Sequence, residues 1–238
     1  MVHDLVDASP RFQARIAGAI ALATTTSGFA VYVRGKLVVL DDAAITAHNI
    51  LANEFLFRLA VVGDLIALLY IAYTLLLYNV LKPVNRSISL LAACFSLVGC
   101  AVAAILCLLE VAPLAILHGA ASPGTLTSER GQDLALMFLR LHSDGYTISM
   151  VLFGVYNLLV GYLIARSTFL PRILGLLLGL SGVCYLFNSF AYFLSPTFAA
   201  HLLPYVLIPG ASELVLAVWL LVFGVNVQGW HEMARATA

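Results

Sequence analysis

Asp64 stands in a long apolar run that opens at Asn53-Glu54 and reaches Val80, with Arg58 in the same run. The next apolar run holds Glu110 and His118, the one after holds Arg140, His142 and Asp144, and the last holds Glu213. An ionisable side chain inside a membrane span is costly, usually faces a protein interior, and marks a functional site by default. Arg58, Asp64, Glu110, His118, Arg140, His142, Asp144 and Glu213 are therefore the candidate ligand-binding set.

Spacing says which of these can satisfy one another. Glu54 and Arg58 are four apart, as are Arg140 and Asp144, so each pair shares a helix face. Arg58 and Asp64 differ by about 120° around a helix and about 9 Å along it, so both need partners on other helices. Five acids (Glu54, Asp64, Glu110, Asp144, Glu213) face two arginines (Arg58, Arg140) in this layer. The surplus calls for bound protons, protons shared with histidine, or a bound cation.

Other chemistries find less support. His118, His142, Glu110 and Glu213 are zinc or iron ligand types, but no two-histidine motif occurs at helical spacing, and neither a metal nor another cofactor is expected. Ser143 lies between His142 and Asp144, yet neighbours on a helix point apart, so they make no triad and no catalytic residue is assigned. No glycine-rich phosphate loop is present. Tyr70, Tyr73, Tyr156 and Tyr162 read as packing or interfacial residues. Pro113 after Glu110, and Pro209-Gly210 before Glu213, are expected either to break their helices near the polar layer or to mark ordinary helix ends.

Composition sets the surroundings of these residues. Of 238 residues, 62% are hydrophobic and 10% charged, against about a quarter charged in a soluble domain. Most of the surface must meet lipid, which makes this an integral membrane protein whose first partner is the bilayer. Net charge is zero and no basic run is present, so no nucleic-acid partner is expected. Cys94, Cys100, Cys107 and Cys184 all lie in apolar runs without disulfide or metal spacing, and read as small buried residues. No feature specifies an oligomeric state.

The elements that must carry the polar residues are helices. The expected fold is all-α: a polytopic membrane helix bundle, one domain over residues 1–238, with spans at about 12–33, 55–80, 87–118, 134–165, 173–194 and 203–227. Met1–Pro10 reads as a disordered tail. Gly28-Phe29-Ala30 offers a signal-peptidase-like spacing, but the apolar run continues past it, and a retained first helix is preferred. Residues 34–53 form a connection in which Asp42, Thr46, Asn49 and Asn53 recur at helical spacing, predicting a short surface helix. A polar connection covers 119–132, and Lys82–Arg86 and Arg166–Arg172 are short basic turns. Gly175, Gly179 and Gly182 offer close helix packing on the fifth span. No internal repeat of the inverted-transporter kind is evident.

Lysine and arginine orient the bundle. Arg11, Arg15, Lys82, Arg86, Arg166, Arg172 and Arg235 fall on one side of a six-span arrangement, and Arg34, Lys36 and Arg130 on the other. Cytoplasmic loops carry the basic excess, so both termini are expected in the cytoplasm of a multi-pass cell-membrane protein. The polar layer then lies in the outer half, and the inner halves are plainer apart from Tyr78, Asn79 and Asn157.

Asn49-Ile50-Leu51-Ala52, Leu56-Phe57-Arg58-Leu59 with Asp64, Leu77–Arg86, and Gly161–Ser167 continuing through Phe169–Gly175 together resemble a bacterial family of multispanning membrane proteins known as domain of unknown function 4386. The resemblance spans nearly the whole chain, is most specific at the Arg166–Gly175 turn, and implies a single six-span domain, with a bacterial inner-membrane setting. It implies no activity, ligand or catalytic residue. The expected function is a membrane protein whose outward-facing polar pocket binds or acts on a small molecule or lipid. A structural or assembly protein whose buried charges fix packing is the alternative, and a proton-coupled transporter is less favoured because the inner halves are plain.

Overall fold

A chain surrounded by hydrocarbon must satisfy its backbone N–H and C=O groups internally, which leaves helices as the element for apolar runs this long. The structure, a computed structural model, describes residues 9–120, 127–195, 197–199 and 211–236, and these contain helices and no strand. The helices are α1 (Pro10–Thr24), α2 (Thr26–Leu37), α3 (Ala43–Ala52), α4 (Glu54–Ala67), α5 (Tyr70–Leu81), α6 (Arg86–Ala120), α7 (Ser128–Arg166), α8 (Arg172–Leu194), α9 (Ser212–Val222) and α10 (Val227–Ala236).

Five stretches are long and apolar enough to cross a membrane: Pro10–Leu37, Glu54–Leu81, Arg86–Gly119, Ser128–Arg166 and Arg172–Leu194. A sixth is present if α9 and α10, bent by 102°, count as one span. The protein is an all-helical, multi-pass membrane protein. Large apolar side chains such as Phe55, Leu108 and Leu194 stand exposed on the helices, as lipid-facing residues do. The predicted tail over residues 1–8, residues 121–126 of the 119–132 connection, and residues 203–210 of the expected last span, Pro209-Gly210 among them, lie outside the described residues.

Several boundaries differ from the sequence reading. The first apolar stretch stays helical to Leu37, so Arg34 sits in the last turn of α2 rather than in a connection. A basic residue there suits the negative end of the helix dipole. Helix α6 runs unbroken through Pro113, so that proline is not a break. It removes only its own bond to the Leu109 carbonyl. Helix α7 begins at Ser128, six residues before the expected start. The last span does not continue straight to 227. Helix α9 ends at Val222, and Gly224 adopts φ 66°, the left-handed conformation that favours glycine. The chain then turns into α10, whose Trp230 donates from Nε1 to the Val80 carbonyl at 2.9 Å. Other expectations stand. The surface helix α3 is capped by Asp42, whose side chain accepts from the Ile45 N–H at 2.8 Å, and the two basic turns join α5 to α6 and α7 to α8. Of the four cysteines expected to be buried, Cys100 and Cys107 are, but Cys184 is half-buried and Cys94 is exposed.

By contacts the chain forms two compact units. The first comprises Met1–Ala23, Leu69–Cys100 and Thr147–Ala238; the second comprises Thr24–Leu68 and Ala101–Tyr146. In the first unit Leu77, Leu81, Tyr156, Leu163, Leu178 and Leu220 belong to one buried cluster. Helices α7 and α8 meet there at glycines: a Cβ on Gly175 would lie 2.5 Å from the Gly161 carbonyl oxygen, and one on Gly182 2.6 Å from that of Gly154. In the second unit Ala30 and Val33 of α2, Ile50 of α3, Phe57 and Ala60 of α4, and Leu114 of α6 form another cluster. The Thr26 hydroxyl donates to the Gly63 carbonyl at 2.8 Å, tying α2 to α4.

The glycine contacts yield a graded test. Gly182→Leu and Gly175→Leu force side chains into backbone atoms and should each destabilise by roughly 1–3 kcal/mol or prevent folding. A Cβ on Gly179 meets nothing within 4 Å, so Gly179→Ala should change little. Thermal unfolding of the detergent-solubilised variants checks the order; equal losses at all three positions would contradict it.

Candidate functional site

Four polar residues of the second unit occupy positions that helical periodicity reserves for the core. Arg34 is flanked on α2 by buried Ala30, Val33 and Leu37. Asp64 extends the stripe of Phe57, Ala60 and Val61 on α4. On α6 Glu110 shares a face with Cys107, Leu114 and Leu117, and on α7 His142 follows Ala135 and Leu139, all buried. Residues three, four and seven apart lie on one helix face, so apolar packing alone turns all four polar groups inward.

They meet through Arg34. Its Nη1 donates to Asp64 Oδ2 at 2.5 Å and to Glu110 Oε1 at 2.6 Å, so one nitrogen joins α2 to α4 and α6. The side chains are secluded, with 12% of Arg34, 15% of Asp64 and none of Glu110 exposed. Charge-assisted hydrogen bonds of this length are the strong kind. Glu110 Oε2 is buried and has no hydrogen-bond partner. His142 is 5% exposed, and a ring nitrogen of it lies with carboxylate oxygens of Asp64 and Glu110 in a group whose members are all within 4.8 Å of one another. One guanidinium thus faces two carboxylates and an imidazole. Such an arrangement can hold a cation, and Asp64, Glu110 and His142 are the described residues that could ligate a metal.

The remaining sequence candidates fall elsewhere. Arg58 and Glu54 pair as their spacing suggests, Arg58 Nε donating to Glu54 Oε1 at 2.6 Å. His118 joins them, its Nε2 3.2 Å from Glu54 Oε2, and all three are partly or well exposed. Arg140 donates from Nε and Nη2 to the Leu40 carbonyl, at 3.0 and 2.5 Å. This secures the chain between α2 and α3. Asp144 is half-buried and not part of the Asp64–Glu110–His142 group. Glu213 belongs to the first unit, where the buried Asn157 donates from Nδ2 to its Oε1 at 2.7 Å.

Arg34 is the member of the cluster that the sequence reading missed, because Arg34-Gly35-Lys36 resembles a loop. Two signals pointed to it: the apolar residues resume at Leu37-Val38-Val39-Leu40, and Asp64 lacked a cation on its own helix face. The meeting of Asp64, Glu110 and His142 had no local signal, since each comes from a different helix.

The family model described as Domain of unknown function (DUF4386) matches residues 16–224. No curated protein and no solved structure matches the chain.

The two charge groups should respond differently to mutation. Removing one partner of a buried ion pair typically costs about 3–5 kcal/mol because the remaining charge is stranded. Arg34→Met leaves two carboxylates facing each other and should destabilise within that range. Arg58→Gln, in the exposed trio, should shift the unfolding midpoint by little. Chemical denaturation of the detergent-solubilised variants measures both, and a loss at Arg58 as large as at Arg34 would contradict the assignment.

Proposed function

The chain belongs to the family described as Domain of unknown function (DUF4386), and from that premise we propose that it is a membrane protein which binds a small cationic group at the Arg34–Asp64–Glu110–His142 cluster. One observation carries the reading: two carboxylates share a single guanidinium nitrogen in a secluded setting, while a buried oxygen of Glu110 has no partner. With both acids ionised the trio carries a formal charge of −1, and secluded charge demands compensation. A cation supplied as an ion or as the head of a small molecule or lipid meets that demand. The distribution of lysine and arginine supports cytoplasmic termini, with the cluster toward the outer side of a bacterial inner membrane.

A second reading has its own support. Arg34 already joins three helices, as a charge that only fixes packing would do. The two readings part at Glu110→Gln, which keeps the shape of the side chain and removes the excess charge. If the cluster is a cation site, the variant folds and loses its ligand; if it is a packing device, ligand content is unaffected.

Native mass spectrometry of the protein released from detergent provides the check. Wild-type protein should carry a bound cationic species that both Asp64→Asn and Glu110→Gln lose. No cation-dependent mass difference between wild type and either variant would contradict the proposal.

A further inference from the structure

We infer that Asp64, Glu110 and His142 form a binding site for a divalent transition-metal ion of the zinc or manganese type; this rests on the reading of the cluster as a cation site and names its ligand. Three donors from α4, α6 and α7 lie within 4.8 Å of one another. Ligand atoms about 2.0–2.2 Å from one tetrahedral ion stand about 3.3–3.6 Å apart. Side-chain rotations that draw the donors together by up to about 1.5 Å close the site on an ion.

The second observation is His142 itself. It is 5% exposed, and one of its ring nitrogens lies within 4.8 Å of carboxylate oxygens of both Asp64 and Glu110. A metal bound to one nitrogen uses its lone pair. Glu110 supports the same reading independently, since its side chain is fully buried and Oε2 has no partner.

Donor type narrows the ion. Two carboxylate oxygens with one imidazole nitrogen suit zinc, manganese or ferrous iron, whereas calcium and magnesium favour all-oxygen sets and copper(I) favours sulfur. Arg34 holds Asp64 Oδ2 and Glu110 Oε1, and Glu110 keeps a second oxygen, Oε2, that no hydrogen bond uses. Outer partners of this kind orient ligating carboxylates. Three protein donors leave a fourth position open, as in catalytic rather than structural zinc sites. A divalent ion would also change the formal charge of the trio from −1 to +1, so the open position favours an anionic or readily ionised fourth ligand such as water.

The test uses the full chain in detergent, stripped with chelator and titrated calorimetrically with ZnCl2 and MnCl2. Wild type and the exposed-trio control Glu54→Gln should each bind about one equivalent and melt at a higher temperature when loaded. His142→Gln and Asp64→Asn should weaken binding at least tenfold, and Arg34→Lys should weaken it by about 10–100-fold while keeping the stoichiometry. If a ligand variant fails to fold, the wild-type stoichiometry and the metal-dependent rise in melting temperature still decide. Absence of binding to wild type, or binding that Asp64→Asn, His142→Gln and Arg34→Lys all leave intact, overturns the metal site. If metal fails to bind yet a cationic organic adduct is lost from Asp64→Asn, the metal inference falls and the cation-site reading survives. If neither ion nor adduct is found, both fall.

Discussion

A guanidinium shared between two carboxylates is costly to assemble away from water, and in the second unit the helices are arranged to permit it. Desolvating the three groups costs several kcal/mol per ion, and only close geometry returns it. Arg34 supplies that geometry through one nitrogen at 2.5 and 2.6 Å from its two acids. The approach of α2 to α4 serves the same end. Gly63 lets the backbones come near, since a Cβ there would lie 2.9 Å from the Thr26 carbonyl oxygen, and the Thr26 hydroxyl bonds to Gly63. The close packing and the ion pair are two parts of one arrangement.

The functional reading follows from an imbalance in that arrangement. If Arg34 faced one acid, the cluster would be a neutral pair and a packing role would suffice. The second acid, with its unpartnered oxygen, and the nearby imidazole leave acceptor capacity that the described residues do not use. Stability favours filling a core with apolar side chains. Polar groups at core positions of four helices break the apolar pattern, as residues that serve a site rather than packing do.

Much of this was legible in the chain. Asp64 stood out because no helical neighbour could neutralise it, and the structure supplies a partner on another helix, as the spacing required. Glu54 and Arg58 read as a self-sufficient pair and are one, because an interval of four residues fixes proximity within a helix. For Arg140, the interval to Asp144 gave no hint of the Leu40 carbonyl, to which its guanidinium donates. Arg34 was hidden by Gly35 and Lys36, which resemble a loop although the helix dipole and the apolar stripe carry α2 on to Leu37. Pro113 shows the converse, a residue with a strong local signal that a long packed helix absorbs. The bend after α9 turns on Gly224, whose positive φ is a backbone choice that an apolar run does not announce. Tertiary meetings such as Asp64 with Glu110 and His142 depend on three helices at once, so residue spacing could nominate the members but not the group.

The dependence on Arg34 can be measured directly by a double-mutant cycle with Glu110, combining Arg34→Met and Glu110→Gln in chemical denaturation of the detergent-solubilised protein. Contacting residues in one ion-pair network show interaction energies of about 0.5–3 kcal/mol, whereas independent sites add to within about 0.5 kcal/mol. The geometry predicts coupling of at least about 1 kcal/mol, with the double variant markedly more stable than the sum of the single losses implies. Additive losses would show that Arg34 and Glu110 do not act on each other in the folded protein, and the charge cluster would lose its place as the organising feature of the second unit.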